Sequence, residues 1–533
     1  MMRRIVLSTL VVLLVVGVLL AALVHPSWWV LVGVAVALGT VAVYDLVQPE
    51  HSLLRNYPLL AHARYALEGI RPEMQQYFIE RNYDGKPFDR DTRTVIYERA
   101  KGMHPAKAFG TERDVNAIGY EYFVHSSAPV APSPTPSTVS VGSEQCTRPY
   151  DLSLLNISAM SYGALSPNAI LAMSRGAKLG KFAHDTGEGG ISRYHLDGGG
   201  DLIWEIGSGY FGARDEQGRF DPVRFRDRAA IDAVKMVELK ISQGAKPGLG
   251  GVLPGAKVTE WIADARGVPV GVDCISPPAH AAFSTPRGLV QFIGHLRELA
   301  GGKPVGFKLC VGSRSEILAI CKAILVEGIY PDFIVVDGAE GGTGAAPLEY
   351  SDHVGTPLTE GLMTVHNALV GTGLRTQIRI GAAGKVALGS DICKRLIQGA
   401  DYTMAARAMM MAIGCIQAQA CHTNRCPVGV ATQDPARYRA LDVGDKSQRL
   451  ARYHAGTVAE ARQMFASMGV TDRHDLHPDL LRRRVSQTTT IAYSQLFDWL
   501  DPGELLAEPP AAWAADWKRA DPDSFAIPRS ALR

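Results

Sequence analysis

The sequence predicts an α/β protein: a (β/α)8 TIM barrel with an N-terminal two-helix transmembrane hairpin and a helical C-terminal tail. Three observations support this prediction. Two long apolar runs open the chain, short apolar runs alternate with helical segments from residue 151 onward, and polar or Gly-rich stretches follow most of the short runs. Eight strand–helix units over about 270 residues are the usual size of such a barrel. A doubly wound sheet is the alternative fold.

The bulk composition is that of a large globular chain. Its 533 residues are enough for one large core with smaller attachments. Charged residues make up only 20% of the chain, the formal net charge is +2, and no basic patch interleaved with aromatic residues is visible. These features argue against nucleic acid as a partner. The 54 glycines favour tight loops, as around a bound cofactor.

The first fifty residues predict a membrane anchor. Ile5–Val24 and Trp28–Tyr44 are apolar runs joined only by His25-Pro26-Ser27, and each is close to the length that crosses a bilayer. Arg3 and Arg4 precede the first run, whereas the joining turn has no Lys or Arg. This bias predicts that both ends, and the catalytic domain, face the cytoplasm at the cell membrane. A signal peptide is the alternative, but a second apolar run follows at once and no A-x-A-like site is present.

The rest of the chain divides by its patterns. We assign residues 1–50 to the hairpin, 51–150 to a helical lead-in with a Pro/Ser-rich arm at 129–142, 151–440 to the barrel and 441–533 to the tail. Helical spacing marks Tyr57–Tyr77 and Asp91–Lys101 in the lead-in. The arm contains too many prolines for a central helix or strand.

Eight short apolar runs are the candidate barrel strands, and four segments between them have clear helical character. The strands are Leu154–Met160, Phe182–His184, Met236–Ile241, Val268–Ile275, Val305–Val311, Phe333–Asp337, Gln377–Gly381 and Tyr402–Ala406. The helices are Asn168–Leu179, Gly288–Leu299, Arg314–Val326 and Lys385–Gln398. Because loops after barrel strands build the active site, the stretches at those ends are the candidate site.

Two Gly-rich stretches predict a phosphate site. Asp337–Gly344 follows the sixth predicted strand, where glycines let backbone N–H groups approach an anion and Thr343 adds a hydroxyl. Gly381–Gly384 follows the seventh and is predicted to open a helix at Lys385, on the phosphate side of such barrels. The alternative is two tight turns. A nicotinamide cofactor on its own βαβ unit is disfavoured, because no G-x-G-x-x-G with a following acidic residue is present.

Two lysines lie at predicted strand ends. Lys308 is flanked by Phe307 and Leu309, and Lys246 follows the third predicted strand. A cation there is costly unless it meets an anion or the developing charge of a cofactor. Ion-paired barrel lysines are the alternative.

Three of the eight cysteines form a cluster, while the other five are scattered singly. Cys415, Cys421 and Cys426-Pro427 form a C-x5-C-x4-C-P pattern. Thiolates suit iron–sulfur clusters and zinc, and the final proline is typical of ferredoxin-type runs. Three local thiolates favour a three-iron cluster. Zinc with His422 as a fourth ligand is the alternative.

An ordered series of motifs resembles the FMN-binding synthase domain of glutamate synthases, and more specifically the short, stand-alone members of that family. The likeness covers about residues 145–440 and rests on Met160–Leu165, Asp185–Gly190, Gln243–Gly248, Ser276–Pro278, Asp337–Pro347 and Cys415–Asp434.

The resemblance implies an FMN-binding barrel with a [3Fe–4S] cluster. It implies that 2-oxoglutarate and ammonia form 2-iminoglutarate, which reduced flavin converts to L-glutamate. It implies catalytic roles for Lys246, Lys308 and Glu188, substrate contacts from Gln243 and Lys246, and cluster ligation by Cys415, Cys421 and Cys426. The expected cofactor-binding residues are Met160, Ser161, Gly163, Gln243, Lys308, Gly341, Gly342, Thr343, Gly344, Gly381, Gly384 and Lys385.

The sequence departs from the large family members in three ways. A membrane hairpin stands where they carry an amidotransferase domain, so free ammonia or a separate amidotransferase is the expected nitrogen source. The C-terminal β-helix domain is replaced by the tail, and Leu249 stands where a glutamate is usual. The electron donor is expected to be a ferredoxin or a reductase subunit. Two other functions remain open: an FMN/Fe–S oxidoreductase acting on another 2-oxo acid or imine, or a membrane-bound electron-transfer protein.

Overall fold

The computed structural model describes residues 2–133 and 138–526. Residues 134–137 of the predicted arm and 527–533 of the predicted tail lie outside the described residues. The chain forms two compact units, which divide between Arg90 and Asp91. The domain boundaries expected from sequence at residues 50, 150 and 440 stay predictions.

The first unit is helical. Helices α1 and α2 pack against each other, joined by a 3-10 turn at Pro26–Trp28, and both are long and apolar enough to cross a membrane. In the last turn of α2, the buried Asp45 carboxylate accepts hydrogen bonds from His62 Nε2 at 2.9 Å and from Leu59 N at 2.9 Å. This carboxylate therefore fixes the turn into α4. The helices are α1 (Met2–Leu23), α2 (Trp29–Val47), α3 (Ser52–Asn56) and α4 (Leu60–Met74).

The second unit is built around a closed barrel of eight parallel strands, which confirms the predicted fold class. The barrel order is β4, β5, β6, β7, β10, β11, β12, β13. The described residues of this unit form fifteen strands, eight of them in the barrel: β1 (Glu121–Phe123), β2 (Thr138–Val141), β3 (Tyr150–Ser153), β4 (Leu155–Ile157), β5 (His184–Asp185), β6 (Leu202–Ile206), β7 (Val234–Lys240), β8 (Val252–Leu253), β9 (Cys274–Ile275), β10 (Val305–Leu309), β11 (Phe333–Asp337), β12 (Arg379–Ala383), β13 (Tyr402–Ala405), β14 (Leu481–Arg484) and β15 (Thr490–Ala492).

One predicted barrel strand was wrong and another was missed. The third barrel strand is β6, all five of whose residues are buried. Val268–Ile275 lies outside the barrel, because Pro269 removes a backbone donor and only Cys274–Ile275 pairs, antiparallel with Val252–Leu253. The segment between the fourth and fifth barrel strands is therefore a long excursion that carries a small hairpin.

Helices surround the barrel, and the longest of them, α17, packs against both α6 and α14. The approach to α6 is close, since a Cβ on Gly176 would lie 2.8 Å from Leu450. Beyond α17, β14 pairs antiparallel with both β1 and β15 in a small sheet, so the mainly helical tail also contributes strands. The helices are α5 (Arg90–Ala100), α6 (Pro167–Gly180), α7 (Arg193–Gly198), α8 (Pro222–Ala229), α9 (Glu260–Arg266), α10 (Pro286–Leu299), α11 (Arg314–Glu327), α12 (Leu348–His353), α13 (Leu358–Gly371), α14 (Gly389–Ile397), α15 (Arg407–Ala412), α16 (Pro435–Tyr438), α17 (Val443–Ser467), α18 (Tyr493–Leu496), α19 (Glu504–Ala507) and α20 (Ala511–Arg519).

The helix after the seventh strand does not begin at Lys385, as predicted, but at Gly389. Gly384 and Lys385 have φ values of +141° and +52°, which interrupt any helix there. The Asp391 carboxylate accepts hydrogen bonds from the N–H groups of Ala387 and Leu388, each at 2.9 Å. The Asp391 side chain therefore caps the N-terminus of its own helix, which begins at Gly389.

Gly381 lies inside the seventh barrel strand rather than in a loop after it. A Cβ at this position would lie 2.6 Å from the Tyr402 ring, which fills the barrel interior. We expect Gly381→Val to lower the free energy of unfolding by about 1–3 kcal/mol, because an overpacked core must distort. Thermal unfolding of the purified chain measures this. Adding Tyr402→Leu should recover part of the loss, and equal losses in the single and double variants would contradict the packing role.

Candidate active site

The loops after the fourth and sixth barrel strands are bound to each other at the barrel mouth. Gly244 N donates to the Asp337 carboxylate at 2.8 Å, and Ala245 N donates to Ala339 O at 3.1 Å. A Cβ on Gly244 would lie 1.9 Å from Gly338 O, so only glycine permits this contact. The two loops predicted separately from sequence therefore form one rim.

The 341–344 segment offers an open anion site. Gly342 and Gly344 are exposed, and in the described part of the chain no group accepts a hydrogen bond from the N–H of residues 342–344. The Arg407 guanidinium lies against this segment: its Nη2 donates to Thr343 O at 2.9 Å. A Cβ on Gly342 would lie 2.2 Å from the Arg407 Cζ. Free backbone donors beside a cation fit a phosphate group.

The seventh strand meets this rim through Gly338 N, which donates to Ala383 O at 2.9 Å. Gly384 lies beside it, since its Cβ would be 3.5 Å from Gly338 N. The structure thus brings Gly384 and Lys385 to the end of the strand next to the predicted phosphate loop. Gly381 lies two residues before the end of this strand and packs against Tyr402.

A buried charge cluster fills the barrel interior below the rim. Lys308 is ion-paired with Glu205 and, at 3.1 Å, with Glu238, and all three side chains are buried. Burial alone would lower the pKa of Lys308, but the surrounding carboxylates raise it well above its ordinary value. Lys308 is therefore ion-paired inside the barrel, and its catalytic and FMN-binding roles stay predictions. Asp185, Glu205 and Glu238 gather ligand atoms within 4.8 Å, but Lys308 already supplies a cation to Glu205 and Glu238.

Four carboxyl groups lie around this ammonium, and for three of them the pKa is raised, which favours the protonated form. Burial raises the pKa of Glu238 to about 7 and that of Asp337 to about 6. Burial also raises the pKa of Asp185 well above its ordinary range, and the neighbouring Glu238 and Glu205 raise it further. The cluster can therefore exchange a proton near neutral pH without a change in the fold.

The Glu238 carboxyl should make stability depend on pH. Because its pKa is raised from about 4.5 to about 7, its stabilising contribution is full below the lower value and is lost as pH rises through the higher one. We expect Glu238→Gln to flatten the fall in unfolding free energy between about pH 5 and pH 7. Unfolding at a series of pH values measures it, with the exposed Glu298→Gln as control. Parallel curves for wild type and Glu238→Gln would contradict the assignment.

On the other side of the mouth, Glu188 and two lysines form the candidate substrate site. Glu188 pairs with Lys240 at 3.1 Å. Burial alone would raise the pKa of Glu188, but Lys240, Lys246 and Arg266 lower it below its ordinary value. Burial lowers the pKa of the half-buried Lys246, against the opposing effect of Glu188. The site thus presents one fixed anion and a lysine held close to it.

Close glycine contacts place Glu188 next to the first barrel loop. A Cβ on Gly187, whose φ is +65°, would lie 2.6 Å from Ser161 N. Arg266 Nη2 donates to Ser161 Oγ and to Tyr162 O, each at 3.3 Å, and its buried Nε has no partner among the described residues. The structure therefore brings Met160 and Ser161 to the mouth with Glu188 and the half-buried Gln243. Gly163 lies deeper, under Leu253.

The three clustered cysteines lie on the loop after the eighth strand. Cys426 is buried, and Cys415 and Cys421 are half-buried. Burial raises the pKa of Cys415 to about 11, and the other two thiols are near enough to raise it further. Tyr97 from α5 donates to Cys415 O at 2.9 Å. Thiols near enough to affect one another's pKa have the chemistry of a thiolate-bound cluster site. His422, the ligand of the zinc alternative, is exposed.

Sequence reasoning missed four basic residues of the site: Lys240, Lys257, Arg266 and Arg407. Arg407 follows the eighth strand directly, so the rule that selected strand-end lysines could also have selected it. Lys240 ends the true fourth strand and was read only as part of an apolar run. Lys257 and Arg266 lie in the long excursion, where no pattern in the sequence marks a position near the mouth.

Comparison with known proteins identifies the family. Residues 129–471 match the model of the conserved region in glutamate synthase. The chain is 39% identical over 452 residues to the glutamate synthase large subunit-like protein YerD of Bacillus subtilis (strain 168), covering 77% of this chain and 85% of that protein. It is 35% identical over 314 residues to the archaeal-type glutamate synthase [NADPH] of Thermotoga neapolitana, covering 58% of each.

Among solved structures, a flavocytochrome b2 with benzoylformate is similar at 13% identity and a TM-score of 0.40, over 78% of this chain and 85% of that one. The family match, by contrast, spans the barrel, the mouth loops and the cysteine loop described above. The chain is an oxidoreductase of the glutamate synthase type, and it belongs to the glutamate synthase family.

Proposed function

We propose that this chain makes L-glutamate from 2-oxoglutarate and ammonia, using FMN and electrons delivered through a [3Fe–4S] cluster. The observation that supports this most is the position of Arg407, which contacts the 341–344 segment and lies near two of the three cysteines. A phosphate site and a cluster site thus share one residue. The Glu188–Lys246 site opens at the same barrel mouth.

FMN would be held at the rim. Residues 341–344 and Arg407 would bind its phosphate, with Gly384 allowing close approach of the seventh-strand loop. Met160, Ser161 and Gln243 line the part of the mouth where the ring would lie. When bound and reduced, FMN supplies a hydride to an imine carbon. The Lys308 cluster below can hold a proton near neutral pH and so offset charge at the mouth.

Lys246 and Glu188 have separate proposed roles toward the substrate. Lys246 would bind a carboxylate of 2-oxoglutarate and orient its 2-carbon. Condensation with ammonia releases water and gives 2-iminoglutarate, and transfer of a hydride and a proton then gives glutamate. Glu188, held ionised by Lys240, would accept a hydrogen bond from the substrate nitrogen and exchange its protons. The neighbouring Arg266, whose Nε has no partner among the described residues, adds positive charge beside the Glu188–Lys246 site.

Electrons and nitrogen would come from outside the chain. Cys415, Cys421 and Cys426 would bind the cluster, which would supply one-electron chemistry between FMN and a ferredoxin or a reductase subunit. Free ammonia or a separate amidotransferase would supply nitrogen. Two alternatives keep the same cofactors: another 2-oxo acid or imine as substrate, which Leu249 beside Lys246 favours, or electron transfer alone, which the Glu188–Lys246 site disfavours.

Cofactor content tests the proposal first. The full chain, purified in mild detergent without air, should contain one FMN and three irons with acid-labile sulfide, and should give flavin and iron–sulfur absorbance. A colourless protein that contains zinc would contradict it. Reduced protein supplied with a series of 2-oxo acids and ammonium then identifies the substrate, because only the true substrate reoxidises the flavin quickly. Reoxidation by none of them would favour the electron-transfer alternative.

We also propose that α1 and α2 anchor the chain in the cell membrane with the barrel in the cytoplasm. Their length, apolar surface and flanking Arg3 and Arg4 support this. The full chain should pellet with membranes and resist alkaline carbonate, with an intact mass that includes residues 1–50. Release by carbonate would contradict anchoring, and a mass lacking these residues would favour the signal-peptide alternative.

A further inference from the structure

Lys257 is a buried cation without a carboxylate partner. Its side chain lies in the excursion between the fourth and fifth barrel strands, and the residue is only 5% exposed. Its Nζ donates to Cys421 O at 3.0 Å, and no carboxylate of the described residues pairs with it. Burial lowers the pKa of Lys257, and the ionisable groups that oppose this effect are the thiols of Cys421 and Cys426. Because an isolated buried ammonium is costly, this arrangement calls for an anion at the thiols.

Arg407 acts on the cysteine loop from a different element and shares Cys421 with Lys257. It begins the short helix after the eighth strand, and within the described residues it has no carboxylate partner. Its charge acts on Cys415 and Cys421, while its Nη2 donates to Thr343 O at 2.9 Å. Between them, Lys257 and Arg407 face all three cysteines.

The electrostatic consequence concerns electron transfer. Three thiolates give a bound iron–sulfur cluster a net negative charge, and one-electron reduction by an external donor adds one more, with no bond made or broken. Fixed cations in a buried site stabilise the more negative state most, because the interaction is weakly screened there. Charges and hydrogen bonds around the sulfurs are known to set cluster potentials.

We propose that Lys257 and Arg407 act as a pair of positioning residues that raise the reduction potential of the cluster, with Arg407 also joining the cluster loop to the phosphate loop. This inference rests on the proposed function, since it requires a cluster at the three cysteines. Neither the fold nor the chemistry at the barrel mouth requires these two positive charges, so the proposal gives them a function. Lys257 in particular contacts the cysteine loop and not the Glu188–Lys246 site.

The test is a redox titration of the cluster in the full-length holoprotein, followed by electron paramagnetic resonance with dithionite as reductant. Lys257→Gln keeps a donor for Cys421 O and removes the charge, whereas Lys257→Arg keeps the charge. The matched control is Lys303→Gln: Lys303 is also 5% exposed and also donates to backbone carbonyls, but at the opposite side of the fold.

We expect Lys257→Gln to shift the cluster to a lower potential, and Lys257→Arg and Lys303→Gln to leave it close to wild type. Arg407→Gln should lower the potential and also reduce FMN retention, while Arg407→Lys should keep the potential. Loss of the cluster in Lys257→Gln but not in Lys257→Arg also supports the proposal. An intact cluster with unchanged potential in both glutamine variants overturns it. Absence of iron and sulfide from the wild type would instead overturn the proposed function.

Discussion

Cys426→Ala should abolish the iron–sulfur cluster while FMN remains bound. Cys426 is the buried member of the three, and a cluster held by three local thiolates has no spare ligand to replace it. The phosphate loop at 341–344 belongs to a different strand end, so flavin binding does not depend on this thiol. Iron, sulfide and FMN contents of the purified variant measure the effect, and donor-driven turnover should fall by at least about two orders of magnitude.

Cys393→Ala is the matched control, since Cys393 is a buried free cysteine in α14. It should keep the full iron and sulfide content. If Cys426→Ala also kept them, the cysteine loop would not be the cluster site. If both variants lost FMN as well, the loss would reflect general unfolding, which thermal unfolding of the two proteins would reveal.

Lys246→Met should leave both cofactors in place and nearly abolish reaction with 2-oxoglutarate. Removing one partner of a desolvated charge pair costs about 2–5 kcal/mol. That cost corresponds to a roughly 30- to 3,000-fold loss in kcat/KM at about 1.4 kcal/mol per decade. The rate at which 2-oxoglutarate and ammonium reoxidise the reduced flavin measures it.

Lys235→Met is the control for this variant. Lys235 lies near the start of β7, the strand that Lys246 follows, and it pairs with Asp201 and Asp232. It should react like the wild type. Loss of FMN from Lys246→Met would contradict the substrate role and assign the lysine to the cofactor instead. An unchanged rate would mean that another cation binds the carboxylate, with Lys240 and Arg266 as the candidates.

Local patterns predicted the barrel well, because most of its strands and helices have patterns that are visible within a few residues of sequence. The missed strand and the wrongly predicted strand show where local patterns are not sufficient. Leu202–Ile206 contains Glu205, a charged residue that argues against a buried strand. Inside the barrel, Lys308, which lies 103 residues later in the sequence, neutralises this charge. Val268–Ile275 is apolar enough for a strand, but Pro269 and the hairpin partner Val252 keep it outside.

The same limit applies to the site. The glycine loop and Lys246, the lysine proposed to bind substrate, follow strand ends and could be selected from sequence. The contact between Gly244 and Gly338, the place of Lys257 at the cysteines and the depth of Lys308 could not, because each depends on loops from different strands. Lys308 shows this most clearly, since its neighbours in sequence are apolar and its ion partners come from two other strands.

A single turnover without air tests the central claim most directly. The full-length protein is reduced fully with dithionite, freed of excess reductant and mixed with 2-oxoglutarate and ammonium. The account predicts that flavin absorbance returns and that one glutamate forms per FMN, with neither event when 2-oxoglutarate is omitted. A flavin that stays reduced, with no glutamate formed by a protein that holds both cofactors, would contradict it.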